Sequence, residues 1–183
     1  MEIVVDGCEH MRAGTIPKLR RPTLEDGAAV HRLVADCPPL DVNSRYCNLL
    51  QCEHFAGTCV VAETTDGLVG WISAYRPPSA PDEIFVWQVA VHGGSRGMGL
   101  GGRMLDHLAA RPGASGAVRL VTTVTDSNRA SMAMFATFAR RRGLSLTRTL
   151  KFDEKRHFES LHPTEWALSI GPLPTIRQPE ETQ

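Results

Sequence analysis

The spacing of apolar positions along this chain changes several times, and each change marks an element. Leu19-Arg20-Arg21 reads as a short first strand. Thr23-x-x-Asp26 resembles a capping box with Asp in place of Glu, and Val30, Leu33, Val34 and Cys37 follow at helical spacing. Pro38-Pro39 stops that helix. Asn43 or Ser44 is placed to cap a second helix carrying Tyr46, Leu49, Leu50 and Phe55. Residues 58–64 are rich in β-formers, Asp66-Gly67 marks a hairpin turn, and residues 68–75 form the return strand, which Arg76-Pro77-Pro78 ends. A further strand, 83–91, leads into a glycine-rich segment and then a helix with Gly101, Met104, Leu105 and Leu108 on one face, ended by Arg111-Pro112-Gly113. Residues 118–124 read as a strand. Asp126-Ser127-Asn128 caps a helix whose inner face is Ser131, Met134, Phe135 and Phe138. After Gly143 a strand-like stretch runs to Phe152, a polar connection follows, and 166–170 form a last strand. The order is strand, two helices, three antiparallel strands, helix, strand, helix, two strands. It specifies an α/β fold on a mixed sheet, with the glycines in its middle. Residues 1–17 and 174–183 lack a period and are expected to be mobile tails around one domain, 18–173.

A chain of 183 residues is long enough for one domain with a real core. Lys+Arg and Asp+Glu both number 20, so the chain lacks the basic excess that nucleic-acid binding usually needs. No apolar run approaches about 18 residues, which argues against a membrane span, and the N-terminus lacks the apolar core of a signal peptide. The cysteines are Cys8, Cys37, Cys47, Cys52 and Cys59. Their odd number and non-metal spacing point to reduced thiols in a cytoplasm, and Cys47 and Cys52 lack the paired His set of a zinc site, so no metal is expected.

The candidate chemistry lies where strand 83–91 meets the glycines. His92-Gly93-Gly94-Ser95 and Arg96-Gly97-Met98-Gly99-Leu100-Gly101-Gly102 form a turn that opens a helix. Glycines let backbone approach a ligand, and the first N–H groups of a helix favour an anion such as phosphate. Two patterns overlap here. Gly97-x-Gly99-x-x-Gly102 has the dinucleotide spacing, but that reading needs a first parallel strand and an acid about 20 residues later, where the chain has Val121-Thr122-Thr123. No Gly-Lys-Ser/Thr follows, which excludes a P-loop. Arg96-x-x-Gly99-x-Gly101 resembles the pyrophosphate loop of the GNAT acetyltransferase superfamily, and Asn128-Arg129-Ala130-Ser131-Met132-Ala133-Met134-Phe135 resembles that family's N-x-x-A-x-x-L-Y. The resemblance covers about residues 19–171 and implies the GNAT fold.

Narrower segments resemble the diaminobutyrate acetyltransferases of the ectoine pathway: 37–46, with Pro38-Pro39-Leu40-Asp41 and Tyr46; 54–63; Tyr75-Arg76-Pro77-Pro78; and Phe85-Val86-Trp87-Gln88-Val89-Ala90-Val91. This resemblance implies acetyl transfer from acetyl-CoA to the γ-amine of L-2,4-diaminobutyrate, and a homodimer. It puts the CoA pyrophosphate on the N–H groups of Arg96, Gly97, Met98, Gly99, Leu100 and Gly101, with Arg96 adding charge. It puts the pantetheine along the backbone of Val89, Ala90 and Val91, and Asn128 beside the cofactor arm or at a helix cap. Phe135 stands where many members have a Tyr acid. Phe has no proton to give, so Phe135 is expected to pack along the cofactor. The nucleophilic amine needs a base or water relay at neutral pH. Asp41 and Glu165 are the candidate carboxylates, His162 a candidate relay, Trp87 and Tyr46 candidate walls, and Arg76 a candidate for the substrate carboxylate. The rival readings are an acetyltransferase for another small amine and a CoA-binding module without catalysis.

Overall fold

The computed structural model describes residues 16–111 and 116–174. The bulk of both expected tails, and Pro112-Gly113, lie outside the described residues. One seven-stranded sheet runs in the order β1-β2-β3-β4-β5-β7-β6. Its strands are β1 (Lys18–Arg20), β2 (Val60–Thr64), β3 (Gly67–Tyr75), β4 (Glu83–Val91), β5 (Arg119–Val124), β6 (Ser145–Phe152) and β7 (Glu165–Gly171). Among the described residues only β4 and β5 pair in parallel; every other neighbouring pair is antiparallel. The mixed sheet and the element order agree with the sequence pattern. A short helix, α5 (Glu154–Phe158), also forms inside the stretch read as a polar connection.

The helices divide between the two faces. α1 (Gly27–Ala35) and α2 (Arg45–His54) pack on one side, where Val30, Leu33, Val34 and Cys52 meet Val61, Trp71 and Ala90. α3 (Leu100–Ala109) and α4 (Arg129–Arg141) pack on the other, where Met104, Leu105, Leu108, Phe135 and Phe138 meet Ile84, Val86, Leu120, Leu168 and Ile170. Ser44 rather than Asn43 caps α2, its Oγ accepting from Cys47 N–H at 3.1 Å. α2 departs from the apolar expectation. It buries Asn48, Gln51 and Cys52, while Tyr46 and Phe55 are exposed. Side-chain pairing supports Asn48 and one end of Gln51: Asn48 bridges His31 Nδ1 (3.2 Å) and Gln51 Oε1 (3.1 Å), while Gln51 Nε2 is buried without a partner among the described residues.

β4 carries one residue more than its partner. Ser73 faces Gln88 but Ala74 faces Val86, so Trp87 is a bulge. The bulge reverses the alternation of side chains along the strand. Before it, Ile84 and Val86 face α3 and α4; after it, Ala90 faces α1 and α2 while Val89 and Val91 turn toward α3 and α4.

Arg20 ties the first strand to the rest. Its guanidinium donates to both Asp26 oxygens (2.6 and 2.9 Å) and to Glu63 on β2 (2.8 Å), while Asp26 also accepts from Thr23 N–H at 2.7 Å. The Arg20 bonds hold the Asp26 carboxyl below its ordinary range. A depressed folded-state pKa contributes stability that is full above the unfolded value of about 3.9 and fades as the pH falls. Asp26→Asn is therefore expected to lower stability by about 1–3 kcal/mol at pH 7, with the deficit shrinking toward pH 3. Urea unfolding at the two pH values checks this; an equal deficit at both would refute it.

Candidate active site

β4 and β5 part company at the bulge. Their register ends at Val86↔Thr122, where Thr122 Oγ1 donates to the Val86 carbonyl at 2.9 Å. Beyond that point β4 runs on to Val91 paired with β3, while β5 follows β7. The sheet is split there, and the β5-facing edge of β4 from Trp87 onward is offered to a ligand rather than to a strand. A cleft of about 650 Å³ lies along it, between Val89 and Val91, the glycine segment, the loop at Cys37–Leu40 and one side of α4.

Backbone conformation explains the glycines at its mouth. Gly97 and Gly99 adopt φ of +76° and +72°, the left-handed region that side chains disfavour. Gly99 is the N-cap of α3 and brings no side chain to bond the first turn. The N–H groups of Leu100, Gly101 and Gly102 have no carbonyl within the helix to reach. Together with the helix dipole this is an anion site. Arg96 departs from its expected role in part: its N–H donates to the Gly93 carbonyl at 3.2 Å, which leaves its side chain alone for a ligand, and Nε holds the Val91 carbonyl at 3.0 Å. That carbonyl also accepts from Cys37 Sγ at 3.4 Å, which leaves Val89 the better placed of the two valines to pair with a ligand backbone. Gly101 has a packing reason as well, since a Cβ there would stand 2.5 Å from Met134 Sδ. Ala90 departs from its expected place along the cofactor: its side chain belongs to the opposite core, its backbone pairs with Trp71 of β3, and it is absent from the cleft wall.

Along α4, Asn128 is both cap and cleft wall. Its Oδ1 accepts from Ser131 N–H at 3.1 Å, and its Nδ2 is the atom left to donate to a ligand. Phe135 corrects an expectation. It is 2% exposed within the α3–α4 core and is absent from the cleft wall, which Met134 and Phe138 line instead. The helical period turns Phe135 about 100° away from Met134, toward the sheet.

Of the expected substrate residues, Trp87 and Glu165 lie on the sheet face opposite α3 and α4, and Gln88 holds the Asp41 backbone on that face. Trp87, the bulged residue, is 45% exposed and meets Tyr75 edge-on at 6.4 Å. Tyr75 in turn contacts Phe55 (5.7 Å) and Phe85 (5.5 Å). The Asp41 backbone is held on the Gln88 side of the strand: the Gln88 amide, 7% exposed, donates to the Asp41 carbonyl at 2.7 Å and accepts from Asn43 at 3.3 Å. Glu165 begins β7, and alternation from Leu168 and Ile170 puts it on the same face, across the split from β4. Among the described residues its Oε2 is buried without a donor. A buried carboxylate oxygen lacking a donor is unfavourable until a ligand ammonium supplies one. His162 Nε2 stands 3.9 Å from Glu165 Oε1, and its Nδ1 meets the Pro163 carbonyl at 2.8 Å. Tyr46 is less integrated, at 70% exposure on the first turn of α2. Arg76 donates to the Pro81 carbonyl of its own loop at 2.6 Å.

Sequence reasoning missed Gln88, Tyr75, Phe55, Phe85 and Thr122 as parts of this region. Tyr75, Phe85, Phe55 and Gln88 lay in segments that carried the resemblance, and Gln88 had a further signal as a lone amide in an otherwise apolar strand. Among the described residues there is no group of three or more His, Cys, Asp or Glu able to hold a metal, and no helix is long and apolar enough to cross a membrane.

Residues 28–139 match the acetyltransferase (GNAT) family. The L-2,4-diaminobutyric acid acetyltransferase of Methylotuvimicrobium alcaliphilum is 47% identical over 87% of this chain and 92% of its own. That of Vibrio cholerae is 48% identical over 82% and 87%. The structure of diaminobutyrate acetyltransferase EctA from Paenibacillus lautus, in complex with its substrate L-2,4-diaminobutyric acid and coenzyme A, superposes with a TM-score of 0.83 at 36% identity, covering 90% of this chain and all of that one. Split sheet, glycine-opened helix and sequence agree: the chain belongs to the acetyltransferase (GNAT) family.

Proposed function

We propose that this protein transfers the acetyl group of acetyl-CoA to the γ-amine of L-2,4-diaminobutyrate, giving N4-acetyl-L-2,4-diaminobutyrate, a step of ectoine biosynthesis. The observation that carries the chemistry is the division of labour across the split between β4 and β5. An anion-binding helix terminus lies at one side, and Asp41, Trp87 and Glu165 lie on the face opposite α3 and α4. The substrate assignment is supported by the relatives of more than 40% identity and by the likeness to the diaminobutyrate complex.

In this reading CoA phosphates meet the N–H groups at the start of α3, and the pantetheine adds to the unpaired edge of β4 at Val89. The acetyl group then sits in the split, reachable from the aromatic face. At pH 7 only about one amine in two thousand is neutral, taking the lysine value as a guide. Asp41 and Glu165 hold the two ammonium groups of the substrate, and a carboxylate or bridging water takes the proton of the attacking one. Trp87 and Tyr75 wall its aliphatic chain. The N–C bond forms as the C–S bond breaks, and a backbone N–H of β4 steadies the carbonyl oxygen. With Phe135 in the core and no hydroxyl on its ring to act as an acid, the thiolate leaves without a Tyr acid and is protonated from solvent. The protein works as a homodimer in the cytoplasm. The edge strand β6, which presents Leu150 and Phe152 to solvent, supports the first statement, and the unpaired Cys37, Cys47, Cys52 and Cys59 support the second.

Thiol release from acetyl-CoA, with NMR of the product, tests the reading: release should require diaminobutyrate and yield the γ-N-acetyl compound. Asp41→Asn and Glu165→Gln should each lower kcat/KM for diaminobutyrate about tenfold or more, with KM for acetyl-CoA changed less than about threefold. Rates unaltered in both would remove them from the site. Gln88→Leu should raise KM for diaminobutyrate with little change in that for acetyl-CoA, since it frees the Asp41 loop and leaves the glycine segment intact; steady-state kinetics in each substrate distinguish the two. Gly99→Ala should do the reverse, because it strains the αL turn that opens α3.

A further inference from the structure

The cofactor cleft holds a second cation that the glycine pattern does not announce. Arg141, in the last turn of α4, lines the same cleft as Arg96. Asp106 of α3 receives Arg141 Nη2 at 2.8 Å and Arg142 Nε at 2.8 Å. One carboxylate thus serves two guanidinium groups, and one positive charge is left over. The Arg142 plane is turned aside over the Phe138 ring, 5.3 Å from its centre. The Arg141 head instead extends toward the opening of α3, where Nη1 stands 3.3 Å from the place a Cβ on Gly102 would occupy. A cation beside the positive end of a helix is unfavourable unless an anion neutralises both. Gly102 lies just past the motif Arg96-x-x-Gly99-x-Gly101, and its lack of a side chain keeps the space around that head open.

We propose that Arg141 is a ligand for a phosphate of CoA, set by Asp106 on the α4 side of the cleft, opposite Arg96. The inference concerns cofactor recognition and stands whichever amine is acetylated. The cleft runs along α4 from Asn128 to Arg141, about 20 Å of helix, so the arm that enters the split lies at the Asn128 end and the phosphates at the Arg141 end. The guanidinium offers a planar, permanently charged donor set suited to a phosphate dianion.

Calorimetric titration of CoA into the protein without any amine tests this. Arg141→Gln should weaken CoA binding about tenfold or more, while Arg140→Gln on the adjacent, exposed position should leave it unchanged and Arg141→Lys should recover part of the loss. KM for diaminobutyrate should stay the same in Arg141→Gln, which a general loss of structure would not allow. The same titration with 3′-dephospho-CoA identifies the phosphate: a penalty that disappears assigns the 3′-phosphate, and an equal penalty assigns the pyrophosphate. A dissociation constant for CoA within about twofold of the parent protein in Arg141→Gln would overturn the proposal.

Discussion

The separation of β4 from β5 is the constraint on which the rest of this structure depends. A parallel pair that stayed in register to Val91 would satisfy its own backbone groups and leave no edge for a ligand. Here the ladder stops at Val86 and Thr122, and the Thr122 hydroxyl closes the last carbonyl before the gap. The Trp87 bulge sits at the same level. It bends the strand and exchanges its faces, so that Ala90 packs under α1 while Val89 and Val91 border the cleft.

That exchange separates two kinds of chemistry that one reaction must combine. In the proposed reaction, backbone N–H groups and cations near α3 serve the phosphates on one face, and carboxylates and aromatic rings serve the amine on the other. The split is where, in that proposal, a thioester held from one side is open to a nucleophile from the other. Proximity of this sort supplies much of the barrier reduction in an acyl transfer, and it needs no unusual side chain at the reacting centre. The position of Phe135 fits this division: a buried ring in the α3–α4 core contributes rigidity rather than a proton.

The polar side chains that shape the site act mainly on backbone. Gln88 fixes the Asp41 loop through a carbonyl, Arg96 fixes the end of β4 through another, and Asn128 caps α4. Each converts a loop that would otherwise sample many conformations into one wall of the cleft. Arg20 does similar work at the far edge, where its two carboxylate partners pin β1 to β2 and to the turn that starts α1.

Much of this was legible in the chain itself. Periods of two and 3.6, with proline and glycine breaks, give the order of elements, because they report which residues face a core whatever that core is. The glycines of 93–102 point to an anion site because they let backbone approach a ligand at a helix start, and the resemblance of Arg96-x-x-Gly99-x-Gly101 to the GNAT pyrophosphate loop narrows the anion to a cofactor. Tertiary structure alone decided the rest. The bulge at Trp87 is invisible in a run that reads Phe85-Val86-Trp87-Gln88-Val89, since register depends on what β3 offers opposite. The polar inner face of α2 depends on His31, seventeen residues away from Asn48. Glu165 and Asp41 are 124 positions apart in the chain, by subtraction of their numbers, and share a face only because β7 inserts between β5 and β6. Local spacing determines elements; pairing between distant segments determines which of their side chains meet.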